Sequence, residues 1–187
     1  MIDEDIINDI IMNISNIFDQ NNECFSMTRD IFSARMQSYI IEGKKYLESA
    51  IISEIGNNTF DHNFIYSEKR PWGVYCNLSY GQKYTVLADF GRGVRQSLLT
   101  VLPEIKTDTE AVEIAFTKRI SGRMPEQRGN GLKFVSDIII QNNWQLFFQS
   151  GTGCCSINKS GIKFYTKENN FTGCLAILDF TMLEGEK

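Results

Sequence analysis

Eleven residues from Ser53 to Asn63, SEIGNNTFDHN, hold a Glu, an Asp, three Asn and the only His of the chain. Glu54, Asn58 and His62 are spaced four apart, which on an α-helix places them on one face, with Asp61 on the same side. A metal site built from Glu54, Asp61 and His62 alone lacks the second His or Cys pair that ligand spacing requires. The competing reading is a solvated helix end, where Asn and Asp gather and Asn63 stops the helix.

Two later elements carry related chemistry. Asp89-Phe90-Gly91-Arg92-Gly93 is a DxGxG sequence leaving a strand-like run. Its carboxylate accepts hydrogen bonds only, which suits an exocyclic amine such as that of adenine, and its glycines let backbone approach a ligand closely. Arg128-Gly129-Asn130-Gly131-Leu132 carries a GxGL sequence at the start of a helical pattern. Glycines there free the first N–H groups of the helix to face an anion. It matches neither the Walker phosphate loop nor the dinucleotide fingerprint. Taken singly, DxGxG also reads as an Asp-Gly turn, and GxGL as a Gly-rich loop with no ligand. Lys118, Arg119, Arg123 and Arg128 lie near enough to these elements to reach phosphate, Arg128 most directly because it abuts the glycines. A solvated loop face is the commoner meaning of such residues.

These residues need elements to hold them. Ile2, Ile6, Ile7, Ile10, Ile11, Ile14, Ile17 and Phe18 recur with a helical period, behind acidic residues that favour a helix start. The apolar stripe must pack on the domain itself, a second copy or a partner. Helical texture resumes through Ile31, Phe32, Met36, Tyr39 and Ile40, breaks near Gly43, and runs on from about Lys44 to Asn63. On that last helix Leu47, Ile51 and Ile55 make a core-facing stripe, and the polar stripe sits beside it, a geometry that lines a cleft. Val74–Ser79 and Tyr84–Asp89 read as strands around a turn at Tyr80-Gly81-Gln82. Helices follow at Val94–Val101, at Thr109–Ile120 with Thr107 or Asp108 as cap, and at Leu132–Gln141 after a polar loop. The tail reads as four strands, Trp144–Gln149, Cys154–Asn158, Ile162–Thr166 and Cys174–Phe180. The expected class is an α+β sandwich, one sheet covered by helices on one face.

Composition bounds the function. A chain of 187 residues, 42% apolar and 22% charged, can build one proper core. A net charge of -4 with dispersed Lys and Arg gives no electrostatic case for nucleic acid. There is no apolar run long enough to span a membrane, and the acidic start MIDEDIINDI argues against an export signal. The five cysteines, Cys24, Cys76, Cys154, Cys155 and Cys174, are odd in number and lack CxxC spacing. They read as reduced, buried thiols of a cytoplasmic protein rather than a zinc site or a Cys154-Cys155 redox pair.

The ordered set Glu54…Asn58, Asp89…Gly91…Gly93 and Gly129…Gly131-Leu132 resembles the ExxxN, DxGxG and GxGL boxes of the GHKL superfamily of ATPases and kinases. Ala111–Arg123 looks like the approach to the nucleotide lid of small members, and Thr172-Gly173 loosely resembles the final glycine element. The resemblance covers about residues 28–182. It implies the Bergerat fold, a two-layer α/β sandwich with a mixed, mainly antiparallel sheet and helices on one face. It further implies an ATP-binding domain at 26–187 behind a helical extension at 1–25, with ATP and Mg2+ as cofactors. By resemblance, Asp89 takes the adenine amine and Asn58 ligands Mg2+. Gly91 and Gly93 let the lid base approach closely. Gly129, Asn130 and Gly131 bond the phosphates, with Arg128 and Leu132 beside them, Glu54 polarises the attacking water or hydroxyl, and His62 either joins the ATP site or holds Glu54 or the lid. The single His, inside the nucleotide box, argues against histidine autophosphorylation, and the absence of residues for a transducer domain suggests a stand-alone module. SEIGNNTFDHN looks most like the box of anti-sigma-factor serine/threonine kinases. Two functions are expected to compete: a slow ATPase or Ser/Thr kinase acting on a partner protein, and a non-catalytic, nucleotide-gated interaction module. The second would engage a partner or a second copy through its lid and N-terminal helix.

Overall fold

The structure is a computed structural model that describes residues 2–16, 23–62, 73–118 and 131–181. Along these residues the order is α1 (Glu4–Asn16), β1 (Phe25–Ser26), α2 (Arg29–Gly43), α3 (Tyr46–His62), β2 (Val74–Tyr80), β3 (Tyr84–Asp89), α4 (Gly93–Leu98), α5 (Asp108–Thr117), α6 (Gly131–Gln141), β4 (Gln145–Asn158) and β5 (Gly161–Asp179). The strands form one sheet in the order β1-β2-β3-β5-β4, and every described pairing is antiparallel. This is the expected α+β sandwich.

Local chemistry sets the helix ends. Thr28 caps α2, its hydroxyl accepting from Ile31 N, and Lys44 ends that helix in the left-handed region at φ 52° with its N–H on Ile40 O. The break expected near Gly43 therefore separates two helices that pack on each other. Thr107 caps α5 by accepting from Glu110 N at 3.1 Å, while Glu110 reaches back to Lys106 N at 2.9 Å.

The tail departs from expectation. Four short strands were indicated by its glycines, yet β4 and β5 run as two strands of 14 and 19 residues. Gly151 and Gly153 do not reverse the chain: the register shifts at Ser150/Gly151 and Gly151/Gly153, so they act as bulges. There the start of α5 lies against the sheet, with Asp108 Oδ2 accepting from Thr152 N at 3.0 Å and from its hydroxyl at 3.2 Å. The two-residue β1 carries too short a pattern to be read in advance.

Alternation along the strands makes two faces. On one, Val74, Cys76, Leu87, Leu146, Phe148, Ala176 and Leu178 pack with Phe32 and Met36 of α2, Ile51, Ile52 and Ile55 of α3, Val112 and Phe116 of α5, and Val135 and Ile139 of α6. On the other, Tyr75, Val86, Ala88, Phe147, Leu175 and Ile177 pack with Ile7, Ile10 and Ile14 of α1. Ile7, Ile10 and Ile14 are 3%, 0% and 1% exposed, so these residues of the N-terminal stripe pack on the protein's own sheet. Helices α2, α3, α5 and α6 lie together on one face, and α1, whose stripe was expected to pack on the domain itself, a second copy or a partner, packs on the other. Polar contacts fasten the same helix: Asn13 Nδ2 donates to Tyr80 Oη at 2.8 Å, which donates to Asp9 Oδ2 at 3.0 Å. Ile2 N donates to Gln145 Oε1 at 3.1 Å. The Lys167–Glu4 pair at 2.5 Å adds little, because Glu4 is 60% exposed. Among the described residues no helix is long and apolar enough to cross a membrane.

Candidate functional site

The polar end of the helical face is built around α3. Ile51, Ile52 and Ile55 bury one side of this helix, and Gly56 lets α2 come close: a Cβ there would stand 2.6 Å from Phe32 Cε1. That packing fixes the rotation of α3. Glu54 is left exposed and Asn58 half-buried, one turn apart at the rim of the buried stripe. The sequence pattern placed them beside the core, and the structure does the same.

Asp89 ends β3 and is 4% exposed. Thr59, the neighbour of Asn58, donates from Oγ1 to Asp89 Oδ2 at 3.1 Å. Gly91 N donates to the other oxygen, Oδ1, at 2.9 Å. Both carboxylate oxygens are thus held by donors, which compensates the burial, and a carboxylate oxygen can accept more than one hydrogen bond. Gly173 approaches from β5 at φ +93°, and a Cβ on it would fall 2.8 Å from Asp89 Oδ1. Only glycine fits both the backbone angle and the gap. Ser150 of β4 ties the two turns together, accepting from Val94 N at 2.9 Å and donating to Gly173 O at 2.9 Å. Gly93 is crowded by that same hydroxyl, 2.8 Å from where its Cβ would lie.

The third element meets α3 at Glu54. Gly131 opens α6, and a Cβ on it would stand 2.5 Å from Glu54 Oε2. Leu132 is half-buried and packs against the core of the helical face. One helix therefore touches both of the other sequence elements, DxGxG through Thr59 and GxGL through Glu54.

Other candidates fall elsewhere. Asp61 pairs with Arg29 at the start of α2, and that guanidinium lies 6.0 Å from the Phe60 ring centroid. Asp61 thus fastens α2 to α3. Lys118 is exposed at the end of α5. Arg119, Arg123, Arg128, Gly129, Asn130 and the side chain of His62 lie outside the described residues.

Thr59 and Ser150 were not singled out from sequence. Thr59 carried a usable signal, a polar residue four after Ile55 on the core-facing stripe. Ser150 carried none, sitting between strand residues and glycines.

No disulfide joins the cysteines of the described residues. Burial pushes Cys76 up to about 12 and Cys155 well above its ordinary value, so both stay protonated and unreactive. Cys154 and Cys155 point to opposite faces of the sheet, which speaks against a paired redox device. Among the described residues no group of three His, Cys, Asp or Glu could hold a metal ion. Comparison with known protein families and with characterised proteins finds no match for this chain.

Proposed function

We propose that this chain is an Mg-ATP-binding protein of the GHKL type that turns ATP over, as a slow ATPase or as a Ser/Thr kinase acting on a partner protein. One observation carries the reading: α3, which bears Glu54, Asn58 and Thr59, meets two elements far along the chain, Asp89 through Thr59 and Gly131 through Glu54. A solvated helix end would have no reason to meet both.

The roles follow from the donors and acceptors present. Asp89, already holding two donors, has only acceptor capacity to offer a ligand, which favours an adenine amine. Its fixed orientation lowers the entropic cost of binding. Gly173, packed against Asp89, would form one side of the site for the base. Asn58 contributes one neutral oxygen at the rim, enough to complete the shell of a hard cation whose other ligands are phosphate oxygens and water. That cation would neutralise charge on the phosphates. Glu54, exposed and next to the first turn of α6, would take the proton of a water or a partner's hydroxyl that attacks the terminal phosphate.

The test is incubation with Mg-ATP, with and without candidate partners, followed by intact-mass analysis and ADP measurement. ADP formation or a partner heavier by one phosphoryl group supports the reading. Unchanged ATP together with no detectable nucleotide binding overturns it. In the interaction-module alternative ATP would order the lid and residues 1–25 would engage a partner or a second copy; the burial of Ile7, Ile10 and Ile14 among apolar residues of the sheet weakens one of its motives.

A further inference from the structure

We infer that Gly131 is a positioning residue for Glu54: the absent side chain at the first residue of α6 is the slot that holds the Glu54 carboxylate in place for proton abstraction. The inference rests on the proposed ATP turnover.

Three facts lead to it. Gly131 is not among the glycines with positive φ, so its backbone conformation is open to any residue. At the first residue of α6 glycine gives up more conformational freedom on folding than alanine would, so another demand favours it. Among the described residues, and leaving aside its chain neighbours and its own helix backbone, the only atoms within 4 Å of a Cβ at this position belong to Glu54, Oε2 at 2.5 Å and Cδ at 3.6 Å. Other glycines of the protein meet different demands. Gly56 meets the Phe32 ring, and Gly153 meets the backbone of Asp108 and Thr109, so those two serve packing. Gly151 makes room for the Asp108 carboxylate, but at φ +63° its backbone already asks for glycine. Gly131 has no such backbone reason, and a carboxylate fills its slot.

The consequence is specific to chemistry. Glu54 is exposed, so a methyl group at 131 displaces the end of a flexible side chain and leaves the core intact. Gly131→Ala should therefore fold. Displacement of a reacting group by about 1 Å can cost about 100-fold in rate, so kcat should fall by about 10- to 100-fold while KM moves little. A glycine kept only so that phosphate can approach the backbone would give the opposite split, with KM raised.

The experiment is a double-mutant cycle on the full chain. Gly131→Ala is made in the native background and in Glu54→Asp, whose shorter side chain withdraws from the slot, and kcat and KM are measured for ATP turnover. Gly131→Ala is also made in Glu54→Ala, and the shift in Tm relative to each parent is recorded, which needs no activity. The expected result is a kcat loss that shrinks in Glu54→Asp, and a Tm loss that is larger with Glu54 present than in the Glu54→Ala background. Equal Tm shifts in both backgrounds, an unchanged kcat for Gly131→Ala, or an effect on KM alone overturns the inference while leaving ATP turnover standing. An unmodified chain that neither binds nor turns over ATP overturns the proposed function, and this inference with it.

Discussion

The two faces of the sheet are built from alternate residues of the same strands, yet they end differently. On the face under α1 the interior is apolar around Phe147, Leu175 and Ile177 and takes in Gln145, Gln149 and Asp179 as well, and the helix is fastened by contacts along its length, Asn13 and Asp9 on Tyr80 and Ile2 on Gln145. On the face under α2, α3, α5 and α6, an equally apolar interior gives way at one end to Asp89, Thr59 and Ser150, all buried. Polar groups are costly in such a place unless each has partners. Here they have them, and the partners come from α3, α4, β5 and the turn after β3. The buried polar groups under α1 hold local pieces in place, Gln145 taking Ile2 N, Gln149 donating to Gly151 O and Asn169 O, and Asp179 pairing with Lys83 and accepting from Thr181 N, whereas those of the helical face gather around the turn that carries Asp89.

The first way to break the comparison is at the rim of the polar end. Glu54→Gln keeps size and hydrogen bonding but removes the base, so ATP turnover should fall by about 100- to 10,000-fold while nucleotide affinity is retained. Coupled-enzyme ADP assay and equilibrium binding on one preparation read both quantities. Unchanged ADP production would remove Glu54 from the chemistry.

The second breaks the other face. Ile10 is fully buried, and Ile10→Ala leaves a cavity between α1 and the sheet, at a cost of about 2–5 kcal/mol in chemical denaturation. Because the sheet separates α1 from Asp89, affinity of the folded fraction for ATP should not change. A loss of affinity matched to the loss of stability would show that the two faces are not independent.

The third sharpens the polar end. Thr59→Val is nearly isosteric and takes one buried donor away from Asp89 Oδ2. Nucleotide affinity should drop by about 5- to 10-fold, the scale of one buried hydrogen bond, with a modest loss of Tm. Serine at position 59 should restore most of both.

The smallest effect concerns pH. The Cys76 thiol, on the helical face, is held by burial to about 12, against an unfolded value of 9.0. The folded chain keeps this proton where the unfolded chain loses it, so the stability it contributes is complete below about pH 9 and is lost as pH rises towards about 12. Cys76→Ala should flatten that part of the alkaline stability profile, read by denaturant midpoints taken from about pH 8 to about pH 10.5.

Much of the site was legible because its residues recur at fixed spacing. Glu54 and Asn58 sit one helical turn apart next to a clear Ile stripe, and Asp89 closes an obvious β-run before two glycines. What could not be read depends on distance in the chain. Thr59 looks like one more polar residue until Asp89, 30 positions away, is seen to accept from it. Ser150 and Gly173 acquire meaning only through pairing, since β4 and β5 align Ser150 with Cys174 and β3 and β5 align Asp89 with the same residue. The tail was divided too finely because glycine signals a turn and a bulge alike. The stripe on α1 was clear as a helix, but which surface it covers is a property of the sheet's second face.

The most direct test of the central claim is calorimetric titration of ATP with Mg2+ into the native chain and into Asp89→Asn. Asparagine keeps the shape but presents a donor where the carboxylate only accepts. The account predicts saturable one-to-one binding by the native chain and an affinity at least about tenfold weaker in the variant, from the loss of a charge-assisted hydrogen bond. Native protein that takes up no ATP, or equal affinities in the two proteins, would contradict it.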